Sequence, residues 1–221
     1  MYIRKQEFAG SEMESLFLWG ARQTGKSTWL KAQYPNALWF DLLLNEEYER
    51  LQRDPSLFRQ TILASEEGQP VIVDEVQRMP VLLNDIHWLI ANYNTQFILC
   101  GSSARKILRA DVNLLGGRAL RYEMYPLVYK EVDNFDLQRA LNHGLLPRHY
   151  MAKNARRLHA AYVGSYLQDE ITREAQIRKI GSFSRFLEVA AFSNGETLNF
   201  TNIAKETGVS SPTVKEYFQI L

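Results

Sequence analysis

Along the first half of the chain, short uninterrupted apolar runs alternate with stretches whose apolar residues recur every three or four positions. The first kind reads as buried strand and the second as amphipathic helix. Leu16-Phe17-Leu18-Trp19, Ala37-Leu38-Trp39-Phe40-Asp41-Leu42, Val71-Ile72-Val73-Asp74-Glu75 and Gln96 to Cys100 are four such strands, and Ala119 to Met124 is the candidate fifth. Helices are predicted over Thr28 to Gln33, Glu46 to Arg53, Ser56 to Ser65 and Val81 to Tyr93, with Pro55 separating the second from the third. In the last of them the apolar spacing runs through Leu82, Ile86, Leu89 and Ile90. Strands alternating with helices imply an α/β fold with a parallel sheet covered on both faces, whose ligands bind at the carboxyl ends of the strands.

The pattern changes near Leu127. From there to Gly195 no strand pattern recurs, and the helical stretches include Ala155 to Ile171 and Phe183 to Phe192. Basic residues gather at Arg148, His149, Lys153, Arg156, Arg157 and His159, the ordinary pattern of a solvated helix face. Thr201 to Tyr217 holds a short helix, a turn at Gly208 and a second helix opened by Ser211-Pro212, which is helix-turn-helix grammar. The expected organisation is an α/β domain over 1–127, a helical region over 128–195 and a partial helix-turn-helix over 196–221.

Composition narrows this without redirecting it. A chain of 221 residues has room for one full domain and a smaller one, and 46% hydrophobic content suits a globular core. With 26 Lys+Arg against 25 Asp+Glu the net charge is +1, so no global field draws the chain to nucleic acid or an anionic membrane. No apolar stretch approaches membrane-spanning length, and Met1 to Lys5 is not followed by the apolar core of a signal peptide. The single Cys100, inside Phe97-Ile98-Leu99-Cys100, excludes an internal disulfide and a Cys-based zinc site, and a reduced buried thiol suits the cytoplasm.

The chemistry concentrates in Gly20-Ala21-Arg22-Gln23-Thr24-Gly25-Lys26-Ser27, which fits the phosphate-binding pattern G-x-x-x-x-G-K-[ST] between an apolar strand and a helix. Gly20 and Gly25 let successive N–H groups turn inward as an anion nest at a helix N-terminus, where the helix dipole favours phosphate. Lys26 adds a mobile cation for the β- and γ-phosphates, and Ser27 offers a hydroxyl to Mg²⁺. The nucleotide site is therefore expected to comprise Gly20, Ala21, Arg22, Gln23, Thr24, Gly25, Lys26, Ser27 and Thr28.

Asp74-Glu75, closing an apolar strand, is the usual companion of such a loop. Asp74 can hold Mg²⁺ and Glu75 can polarise a water for attack on the γ-phosphate, which favours hydrolysis over transfer. Ser102 and Ser103, after the fourth strand, can contact that phosphate or the water, or else cap the helix beginning near Ala104. Arg118, after Gly116-Gly117, can neutralise charge on a transferring phosphoryl group in its own or a neighbouring chain, or be an ordinary surface arginine. Arg22 and Arg105 are weaker candidates for the same task. No Asn-Lys-x-Asp guanine-reading motif occurs, and no Arg-rich lid of a small-molecule kinase stands out.

The loop, Val71 to Pro80, Phe97 to Ala104, Leu114-Leu115-Gly116-Gly117-Arg118 and Tyr125-Pro126-Leu127 together resemble the prokaryotic AAA-type (AAA_14) P-loop ATPases that carry a DUF4143 region. The resemblance runs from about Leu16 to the end. It implies a five-stranded parallel sheet in the order 5-1-4-3-2, Mg²⁺ and ATP as ligands, Ser102 or Ser103 as polar sensor, and a winged helix-turn-helix after the helical region. Relatives continue beyond a wing, whereas this sequence stops at Leu221 in the second helix, so a shortened form is expected. The functional expectation is an ATPase that moves its helical C-terminal part, working as a homo-oligomer or with a DNA or protein partner and without a membrane. The alternative is a nucleotide-gated DNA-binding regulator with negligible turnover.

Overall fold

A computed structural model of the chain describes residues 2–8, 14–102, 115–166 and 180–220. They form two compact units, Met1–Ala155 and Arg156–Leu221. Ser103, Arg105 and the 167–171 end of the expected long helix lie outside the described residues.

The first unit is built on five strands, β1 Ser15–Trp19, β2 Leu38–Asp41, β3 Val71–Asp74, β4 Phe97–Gly101 and β5 Ala119–Glu123. All neighbours pair in parallel in the order β2-β3-β4-β1-β5, the expected 5-1-4-3-2 read from the other edge. Side chains along a strand alternate between faces, and here both faces are covered. Phe17, Trp19, Phe40, Val71, Val73, Phe97 and Leu99 point to one core, met by Leu51 of α2 (Asn45–Arg53), Phe58 and Ile62 of α3 (Ser56–Leu63) and Leu82, Ile86 and Leu89 of α4 (Leu82–Tyr93). Leu16, Leu18, Ile72, Ile98 and Cys100 point to the other, met by Trp29 and Leu30 of α1 (Lys26–Gln33). The near-continuous apolar runs follow from burial on two sides at once.

Residues 2–8, which carried no periodic signal, pack onto this second face and beyond it. Phe8 meets Trp29 edge-on with ring centroids 5.0 Å apart, and Tyr2 joins Leu127, Val132, Ala140 and Tyr150 in a smaller core. That core ties α5 (Leu137–His143) and α6 (Pro147–Met151) to the sheet domain, so the first compact unit runs to Ala155 where the sequence suggested a change at Leu127.

Helix α7, Ala155–Tyr166, starts at the last residue of the first unit, and the second unit also holds α8 Ile180–Phe192, α9 Phe200–Thr207 and α10 Ser211–Ile220. Asn199 caps α9 by accepting from the N–H groups of Thr201 and Asn202, and Gly208 ends it at φ 69°. Phe183 and Phe186 of α8 share one core with Ile203, Ala204, Val214 and Tyr217. The helix expected from Phe183 thus belongs with the terminal pair and begins three residues earlier. Among the described residues no helix is long and apolar enough to cross a membrane.

Candidate phosphate-binding site

Parallel strands place their carboxyl ends on one edge of the sheet, and β4 lies between β1 and β3. Register pairs Asp74 with Cys100 and Cys100 with Leu18. The loop after Trp19, the acids at the end of β3 and Ser102 after β4 therefore face one another across adjacent strands spaced about 4.8 Å apart.

The loop needs both glycines. A Cβ on Gly20 would lie 2.3 Å from the Met124 carbonyl oxygen, and Gly25 opens α1 at φ 96°. Gln23 also takes a left-handed conformation, φ 66°. Buried Thr24 donates through Oγ1 to the Ala21 carbonyl at 2.9 Å and so fastens the loop to itself. Helix α1 starts with no side-chain cap and no acid in its first turn, which leaves its first N–H groups and positive dipole end available to an anion. Lys26 is 6% exposed, and its Nζ donates to the carbonyls of Gly20 (2.6 Å) and Ala21 (3.2 Å), so the ammonium lies along the loop it serves. Ser27 is half-buried and Thr28 exposed at the start of that helix.

The strand expected to include Glu75 stops at Asp74. Glu75 itself adopts φ 58°, ψ 44° before a 3-10 turn, Val76–Arg78. Such a conformation costs on the order of 1–3 kcal/mol for a non-glycine residue. It is held by Arg78, which donates its N–H to the Glu75 carbonyl at 2.8 Å, its guanidinium to the Leu42 carbonyl at 2.6 Å, and lies over the Tyr48 ring. Burial raises the Glu75 pKa; Lys26 opposes that rise, Asp74 adds to it and Arg22 opposes it. The sequence assigned Arg22 only a minor part, and the structure brings its charge to bear on Glu75. Asp74 is 3% exposed and its Oδ1 accepts from the Cys100 thiol at 2.8 Å. Burial, first, and the neighbouring Asp74 push the Cys100 pKa well up, so the thiol keeps its proton and acts as a donor.

The donor chemistry fits Mg²⁺. Asp74 carboxylate and Ser27 hydroxyl are hard oxygens, the ligand type that cation takes.

Two further elements frame the site. Arg4 donates from Nε to Glu131 Oε1 (3.1 Å), from one terminal nitrogen to the Thr24 carbonyl (2.5 Å) and from the other to the Tyr125 carbonyl (2.6 Å). A cavity of about 410 Å³ opens beside the loop, lined by Ile3, Arg4, Gly25, Thr28, Trp29 and Pro147 among others.

Arg118 is not brought to this edge. Ala119 pairs with Ser15, so Arg118 sits at the start of β5, about five residues or roughly 17 Å along the strand from the loop. There it is exposed and contacts the His87 ring on α4. Ser102 is at the correct edge, half-buried, with Oγ accepting from Gln77 Nε2 at 3.0 Å. Gln77, Cys100 and Arg4 are the site residues that sequence reasoning gave no role. Only Gln77 carried a signal, its place two residues after Glu75.

A family profile described as an AAA domain (AAA_14) matches residues 12–133. A second, described as a domain of unknown function (DUF8612), matches 134–221, where a DUF4143 region was expected. No curated protein sequence matches. Among solved structures, the Walker-type ATPase PABY2304 of Pyrococcus abyssi is similar at 12% identity and TM-score 0.55, over 93% of this chain and 84% of that one. The replication initiator DnaA bound to AMPPCP and single-stranded DNA aligns at 14% identity and TM-score 0.44, over 95% and 82% of the two chains. At such identity the first likeness shows a shared fold.

Proposed function

This chain belongs to the AAA domain family AAA_14, and from that we propose that it is a Mg²⁺-dependent ATPase with Glu75 as general base. The observation that supports this best is the convergence of the loop, Asp74, Glu75 and Ser102 at the carboxyl ends of β1, β3 and β4. The loop N–H groups, α1 and Lys26 bind the phosphates, while the cavity beside Trp29 and Ile3 takes the base. Asp74 and Ser27 would hold the metal, which would supply positive charge to offset that of the phosphates. Glu75 accepts a proton from water as its oxygen attacks the γ-phosphorus, and the bond from that phosphorus to the bridging oxygen breaks to release ADP. A buried carboxyl with a raised pKa is a better base than an exposed one.

Arg118 lies too far along β5 to reach its own loop, so its part in this reading is to act in the site of a neighbouring copy in a homo-oligomer. The nucleotide cycle moves the C-terminal helices, in which we read α9 and α10 as the helical pair of a winged helix-turn-helix. Val214 and Tyr217 of α10 are spent on the core with α8, while exposed Lys215 stands beside exposed Glu216. This supports a packing or protein-binding role over DNA binding, since phosphate contacts by cations supply most non-specific affinity. Phosphate release from Mg-ATP, measured with and without duplex DNA, tests the reading. Turnover without DNA supports it, whereas DNA binding without turnover supports the nucleotide-gated regulator.

A further inference from the structure

Gln77 is 1% exposed, the middle residue of the turn that follows Glu75. Its Nε2 donates to Glu75 Oε2 at 2.5 Å and to Ser102 Oγ at 3.0 Å. A carboxylate only accepts, so the amide must present its nitrogen there. The consequence is an Oε1 that is buried with no hydrogen-bond partner among the described residues. Buried polar groups are nearly always paired, and an orphaned acceptor held beside a reactive carboxylate marks a constraint other than packing.

The space is also specific. A Cβ on Gly101 would lie 2.0 Å from Gln77 Oε1 and 2.8 Å from the Trp19 ring, so the last residue of β4 must be glycine for Gln77 to fit. Glu75 follows β3 and Ser102 follows β4; the Gln77 side chain bridges the two strand ends.

We propose that Gln77 is a positioning residue that links Glu75 to Ser102, so that the hydroxyl's contact with a terminal phosphate sets the aim of the carboxylate. The inference rests on the reading of Glu75 as base. Gln77 touches neither nucleotide nor water in this scheme. Its removal lowers turnover by misaiming the base while leaving the loop, and hence ATP binding, as it was.

The test is steady-state hydrolysis of Mg-ATP by the full chain carrying Gln77→Met, which keeps side-chain length and removes both bonds. The expected result is a fall in kcat of about 10²-fold, the scale of a small misplacement of a reacting group, with KM within about twofold of wild type. Gly101→Ala, which displaces Gln77 without altering it, should reproduce the fall and serves also if Gln77→Met does not fold. Adding Ser102→Ala to Gln77→Met should cost much less than the product of the two single effects, as for groups acting as one unit. A purely structural role would instead give independent effects and losses that follow the melting temperature. Glu75→Gln, run in parallel, separates the two ideas. If it abolishes turnover while Gln77→Met and Gly101→Ala keep wild-type kcat, or if the Ser102 effect multiplies fully, this inference is overturned and the base assignment stands. If Glu75→Gln keeps wild-type turnover, the assignment beneath both fails.

Discussion

Replacing Arg4 with methionine should destabilise the sheet domain and weaken its hold on ATP together. The guanidinium joins three segments that are distant in sequence: Glu131 after the sheet, Thr24 in the phosphate loop and Tyr125 after β5. The Arg4 and Glu131 side chains are 8% and 3% exposed, so this is a buried pair. Removing one member of a buried pair costs about 3–5 kcal/mol. Glu131 retains the Lys5 N–H on Oε1 at 2.6 Å and the Val128 N–H on Oε2 at 3.1 Å, which puts the cost toward the lower figure. The bond to Tyr125 is exposed and water can replace it, whereas the Thr24 carbonyl loses a charge-assisted bond of about 1.5–3 kcal/mol. Together these come to about 5 kcal/mol. For a unit of the size of Met1–Ala155 that is a fall in Tm on the order of 10 °C. Calorimetric melting gives that number, and titration of ATP well below both transitions gives the change in affinity, expected to be several-fold weaker because Thr24 is no longer pinned. A variant melting within about 2 °C of wild type with unchanged ATP affinity would refute the reasoning and reduce the pair to the worth of a surface contact.

Arg118→Ala should lower turnover more than ATP binding, and mixing it with Glu75→Gln chains should restore part of the activity if the arginine serves a neighbour; no restoration at any ratio would count against that arrangement. Cys100 is fully buried with a raised pKa, so a thiol reagent should modify it only as fast as the chain unfolds, and rapid modification of the native protein would contradict its placement. The raised Glu75 pKa makes the folded nucleotide-free chain bind that proton more tightly than the unfolded one. The resulting stability is complete below the ordinary carboxylate range and is lost as pH rises through the folded value. Glu75→Gln should therefore melt above wild type at neutral pH and lose that advantage in acid, while a difference independent of pH would argue against the buried charge.

What could be read before folding was what neighbouring residues encode. Val71 to Asp74 and Phe97 to Gly101 announce themselves as strands because both faces are buried, and the phosphate loop because its glycines, lysine and serine must stand in fixed order. Strand order came from the resemblance and not from periodicity, which says nothing about which strand lies beside which. The contacts that complete the site span 20 to 127 positions: Arg4 with Thr24 and Glu131, Gln77 with Ser102, Cys100 with Asp74. No local pattern marks such pairs. Glu75 was expected to continue β3, because nothing in its residue type signals a left-handed turn; the turn is stabilised by Arg78 reaching Leu42 and Tyr48. Arg118 could be named as a functional candidate from its glycine-rich setting, but its distance from the loop is a matter of register with β1.

The central claim is that one site binds ATP through the loop and hydrolyses it through Glu75. It is tested most directly by measuring ATP affinity and phosphate release on the same preparations of wild type and Glu75→Gln, with Lys26→Ala as the chain that cannot hold triphosphate. Glu75→Gln should bind ATP as wild type does and release phosphate more slowly by about 10²-fold or more, and Lys26→Ala should show neither binding nor turnover. Wild-type turnover in Glu75→Gln, or undiminished ATP affinity in Lys26→Ala, would contradict the account.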